Sequence, residues 1–158
     1  MKMVMAVFDE AKKLHKEGEF PENIKLDSEN ISEYAIEHAM DSVKPYIQKA
    51  SFVELPFEDG EFDFVIAIGP VYTLNLGDAI QCLKEIQRVG KGESFITLGS
   101  YTNEEDFWLF YHWTVLGATI LHQDEWREVL KHVGYTGDYK FTGAKSLNLQ
   151  KQTTNKST

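Results

Sequence analysis

The stretch Phe62-Asp-Phe-Val-Ile-Ala-Ile68 constrains this chain more than any other. It is almost continuously apolar and is bounded by Gly60 on one side and Gly69-Pro70 on the other. A strand wetted on one face alternates polar and apolar residues. An unbroken run instead demands cover on both faces, as in the centre of a parallel sheet flanked by helices. The next segment supplies such a helix. Asp78, with Gln81 at capping-box spacing, is expected to open it; Ala79, Cys82, Leu83, Ile86 and Val89 share one face, and Gly90 and Gly92 stop it. Ser94 to Leu98 then reads as the following strand.

The same alternation of short apolar runs and helical spacing extends both ways, the pattern of an α/β layer fold. Upstream, Ile24 to Asp27 reads as a short strand, and Asn30 with Glu33 as the capping box of a helix reaching about Lys44, where Pro45 disfavours continuation. Tyr46 to Val53 reads as a weaker strand, and Leu55 to Gly60 as a turn. Downstream, Phe107, Trp108, Phe110, Tyr111 and Trp113 crowd so closely that one helical face cannot hold them, so some are expected to face a groove or a partner. A last helix spans Gln123 to Val133 with Trp126, Val129, Leu130 and Val133 inward. Tyr135 to Phe141 and Ser146 to Gln150, separated by Gly143, are expected to form an antiparallel hairpin closing the sheet.

Composition narrows the function classes. The 158 residues carry 16 Lys and Arg against 25 Asp and Glu, a formal net charge of −9, with no basic tract to meet a phosphate backbone, so nucleic-acid binding is not expected. With 42% hydrophobic residues the chain has the material for one core, expected over residues 1–150, and residues 151–158, which include no apolar side chain, are expected as a disordered tail. Met1 to Phe8 turns charged too soon for a membrane span or leader. The single cysteine, Cys82, precludes an internal disulfide and suits a reducing, cytoplasmic setting. His15, His38, His112, His122 and His132 lack metal-ligand spacing, and solvated or capping roles are expected for them. No serine stands among the glycines of a nucleophile elbow.

The order of the string Ser51-Phe-Val-Glu-Leu-Pro-Phe-Glu-Asp-Gly-Glu-Phe-Asp-Phe-Val-Ile-Ala-Ile68, then Leu83-Lys-Glu-Ile-Gln-Arg-Val89, then a strand at Phe95, resembles the class I S-adenosylmethionine-dependent methyltransferases over about residues 24 to 100. The resemblance implies a Rossmann-like three-layer sandwich with a mostly parallel sheet, S-adenosylmethionine as cofactor, and methyl transfer to a small molecule. Its ribose-binding carboxylate falls on Asp27, with Glu29 a near competitor; Asp27 equally suits the N-terminus of the next helix. Its adenine-facing pair falls on Ser51 and Phe52, where the family usually has an acid and a small residue; both also fit an ordinary loop and core. Ile68 and Gly69 fall beside the methyl donor. Tyr72, Tyr101 and Trp113 are the expected substrate contacts, though each reads more readily as core between helix and sheet, and Tyr72, Tyr101 or His112 is the candidate base.

The departure from the family lies at the front. Gly18 is the only glycine upstream of Asp27, so the glycine-rich loop is missing. Two explanations are open. The chain begins after that loop, leaving an unpaired sheet edge for a second copy or partner chain to cover, or Met3 to Phe8 is a substitute first strand with Asp9 capping the helix behind it. Two functions follow: a methyltransferase, truncated or degenerate, and a catalytically inactive, methyltransferase-like interaction protein.

Overall fold

In the computed structural model of the chain, the described residues are 3–7, 37, 38, 41, 44–47 and 49–150. The strand expected at Ile24 to Asp27, the helices expected at Phe8 to Lys16 and from Ile31, and the tail after Gln150 lie outside them, apart from a few isolated positions. The expected central strand is β2, Phe64–Ile68. Its edges are both taken: β1, Met3–Val7, runs parallel along one with Met3 opposite Phe64 and Val7 opposite Ile68, and β3, Ser94–Tyr101, runs parallel along the other with Val65 opposite Ser94. This pairing is the one expected of a substitute first strand; the helix expected behind Asp9 lies outside the described residues.

Past β2 comes α1, Pro70–Thr73, then α2, Leu76–Val89. The cap of α2 is Asn75, whose side chain accepts from the Asp78 N–H at 3.1 Å, and not Asp78 as the sequence suggested. Both residues are good caps three apart. Asn75 prevails because its extended backbone lets Oδ1 reach that N–H while Nδ2 donates to the Asp78 carboxylate at 2.6 Å. The expected face is buried in full, from Ala79 to Val89, and packs on Val65, Ala67, Ile96 and Leu98.

After β3, Asn103 caps α3, Glu104–Trp113, and three acidic residues fill its first turn where the helix dipole favours them. A two-residue strand β4, Leu121–His122, leads into α4, Gln123–Val133. His122 is its cap: Nδ1 accepts from Asp124 N–H, and Glu125 accepts the His122 backbone N–H at 2.7 Å. Strand β5, Asp138–Thr142, completes the sheet.

Two expectations are corrected here. β5 runs parallel to β3, with Phe95 opposite Asp138 and Gly99 opposite Thr142, and Ser146 to Gln150 is no strand, so there is no antiparallel hairpin among the described residues. Residues 143–149 instead close on themselves: Leu147 N–H donates to Gly143 O, Leu149 N–H to Ala144 O, and Ser146 Oγ to Gly143 O. Likewise the described part of Tyr46–Val53 is not a strand. Lys44–Tyr46 is a turn of 3₁₀ helix, and at Ser51 the chain folds tightly, the Glu54 N–H reaching Ser51 O and the Val53 N–H reaching Ser51 Oγ. The sheet is therefore β1-β2-β3, with β4 and β5 each also paired to β3, every pair parallel.

Candidate active site

Parallel pairing puts the carboxyl ends of β1, β2 and β3 at one end of the sheet, where open α/β sheets bind ligands. At that end of β2, Ile68 is 41% exposed although it closes the most apolar run in the chain. Gly69 follows with φ +101°, a conformation that a side chain would strain. Its N–H donates to Thr97 Oγ1 of β3 at 2.9 Å, a buried bond that holds the turn against the neighbouring strand. Pro70 then opens α1 at a position where a missing N–H costs nothing.

Tyr72 of α1 is only 4% exposed. Its ring lies against Gly99, where an added Cβ would stand 2.8 Å from Tyr72 Cγ, and 6.0 Å from the Phe110 ring. The Tyr72 carbonyl accepts from Ala118 and Thr119 N–H, and Thr119 Oγ1 donates to Leu74 O, which stitches the loop after α3 onto α1. Trp113, half-buried, stacks on Phe110 at 5.8 Å. Tyr101, half-buried at the end of β3, meets Phe107 edge-on at 5.2 Å and His122 at 5.5 Å. Tyr72 and Trp113 thus share the Phe110 ring, while Tyr101 belongs to a separate aromatic group. His112 is exposed on α3. Phe52 is buried in the core, Ser51 is half-buried beside it, and Asp27 lies outside the described residues.

A second arrangement, which the sequence reading held only as part of a resemblance, fixes the loop that carries Leu55 to Gly60. Glu85, buried on α2, accepts the Leu55 N–H at 2.7 Å and two bonds from Arg88. Arg88 in turn donates to the carbonyls of Leu55 and Phe57 and to Asp59. The Arg88 guanidinium, the Leu55 N–H and the Arg88 charge hold the Glu85 carboxyl below the usual range despite its burial. Burial, with the Glu85 charge behind it, pushes the Cys82 thiol up to about 12. Burial also raises the Tyr135 phenol, bonded to Ser94 Oγ at 2.8 Å, to about 12. Thr97 and the bonds from Glu85 and Arg88 to the Leu55–Asp59 loop escaped sequence reasoning because the partners lie about thirty residues away.

A Rossmann-like α/β domain with a parallel sheet, its strands' carboxyl ends gathered at one end, is what this fold defines. Residues 9–98 match a family model described as a methyltransferase domain. The chain belongs to that family, within the class I S-adenosylmethionine-dependent methyltransferases. No curated protein matches it significantly. Among the described residues no helix is long and apolar enough to cross a membrane, and no group of three or more metal-ligating side chains occurs.

Of the residues expected at the cofactor, the structure leaves Ile68 exposed at the end of β2, puts Gly69, with no side chain, directly after it, and gives the Ser51 hydroxyl, which takes the Val53 N–H, further acceptor capacity, features compatible with the family's cofactor.

Proposed function

We infer that this chain methylates a small-molecule acceptor at the carboxyl ends of β2 and β3. The observation that carries the reading is the exposed Ile68 leading into Gly69 at the end of the central parallel strand. S-adenosylmethionine, when bound, supplies an electrophilic methyl group on a sulfonium. The chain's residues supply placement: Ile68 and Gly69 beside the donor, Ser51 and the neighbouring Phe52 at the adenine, and Asp27 at the ribose hydroxyls. Methyl transfer is an in-line displacement, so a dry and well-shaped approach matters more than strong acid or base. Tyr101 and Trp113, both half-buried, are the acceptor-side rings, and Tyr72, in the core, meets the Phe110 ring on which Trp113 stacks. His112 or Tyr101 is the group to take a proton from an acceptor that carries one.

The rival reading, a catalytically silent interaction protein, draws support from Trp108 and Tyr111, 48% and 50% exposed on α3. Ultraviolet crosslinking of the full chain with methyl-labelled S-adenosylmethionine, followed by peptide mapping, separates the two. Label on the peptide holding Ile68 to Tyr72 is expected. Label absent from a folded chain, or spread without preference, favours the silent protein.

A further inference from the structure

An open cleft of about 970 Å³ runs along α3. Its wall on that helix is two neighbouring rows: Glu104, Trp108 and His112 recur every fourth residue, and Glu105 and Trp113 lie on the row beside them. Leu149 lines it from beyond the end of β5. Because α3 starts just past the carboxyl end of β3, and Leu149 follows that of β5, the cleft begins at the same end of the sheet as Ile68 and Gly69.

The rings in it are held by their neighbours. Trp108 Nε1 donates to Glu104 Oε1 at 3.4 Å, and the His112 ring stacks on the indole with centroids 5.9 Å apart and planes 26° apart. Trp113 is backed by Phe110. Among the described residues that line the cleft there is no Lys or Arg, and Glu104 and Glu105 bring two carboxylates. Carboxylates and the negative faces of indole rings both attract a cation and repel an anion. A bare metal ion does not suit a site with two indoles and no cluster of metal-ligating groups. An ammonium on an apolar body does.

We propose that the α3 cleft binds an organic cation, an ammonium carried on an aromatic or aliphatic body. That this cation is the methyl acceptor rests on the transferase reading above; the charge of the ligand rests on the cleft alone.

The test is a ligand-observed NMR titration of the full chain at low ionic strength, with benzylammonium and with benzyl alcohol as its neutral counterpart. Binding at least about fivefold tighter for the cation is expected. Trp108→Ala should weaken the cation by about tenfold, and the double variant Glu104→Gln, Glu105→Gln should abolish the preference, both with unchanged circular dichroism. Equal binding of the two probes, no saturable binding of either, or a preference untouched by all of these changes overturns the proposal. A parallel titration with S-adenosylhomocysteine separates the two claims. Cation preference without it leaves the cleft assignment standing and removes the transferase reading; the converse removes the cleft assignment alone.

Discussion

Trp126 and Gly99 are joined at the interface of α4 and β3: the wholly buried indole donates its N–H to the Gly99 carbonyl at 2.8 Å. The Cα of the same glycine faces Tyr72, whose ring occupies the space a side chain would need. One residue therefore registers α1 and α4 against the strand between them.

Both contacts can be broken singly. Trp126→Phe removes the donor and is expected to cost about 1–3 kcal/mol. Gly99→Ala drives a methyl into Tyr72 and is expected to cost about as much, roughly 1–3 kcal/mol of overpacking. Urea unfolding followed by circular dichroism measures each; a wild-type midpoint in either variant would contradict the role given to Gly99.

The Glu85–Arg88 pair makes stability depend on acid. The folded-state pKa of Glu85 lies below its unfolded value of about 4.3. Its contribution is therefore fully present above that value and is lost as pH falls through the lower folded pKa. Glu85→Gln should destabilise at neutral pH by roughly 2–3 kcal/mol and flatten the acid limb of the stability profile. Thermal melts between neutral pH and about pH 3 would show it, and parallel acid limbs for the two proteins would refute it.

Cys82 is predicted to be inert. A buried thiol with its pKa raised to about 12 has almost no thiolate at pH 8. A colorimetric thiol assay should find no reaction in the native chain and one equivalent after unfolding in guanidinium; fast native labelling would mean that the face from Ala79 to Val89 opens readily.

How much of this was legible depends on which residues carried it. β2 stood out because Phe64–Ile68 is a short unbroken apolar run between turn residues, although only Val65 and Ala67 are fully buried, with Phe64 and Ile66 half-buried and Ile68 exposed. α4 was legible to its ends, from Gln123 to Gly134, since one stripe and one stop signal fix it. The direction of β5 was not, because alternation of side chains is the same in a parallel and an antiparallel strand; the choice lies in the pairing of Phe95 to Gly99 with Asp138 to Thr142. The cap of α2 was displaced from Asp78 to Asn75 because two Asx signals three residues apart differ only in backbone conformation. At the site, Ile68 and Gly69 were singled out by the family resemblance together with the end of the apolar run. Trp108 was one of five rings of which some were expected to face a groove or a partner, but an aromatic crowd does not reveal which rings stay outside, and Glu104 and Glu105 drew no reading.

The most direct measurement is calorimetric titration of the folded chain with S-adenosylhomocysteine, beside the variant Ile68→Glu. Saturable one-to-one binding is predicted, weakened at least about tenfold (about 1.4 kcal/mol) by a charge at the end of β2, with thermal stability kept because position 68 is exposed. No heat of binding from a chain shown to be folded, or equal affinity in the variant, would contradict a cofactor seat at Ile68 and Gly69.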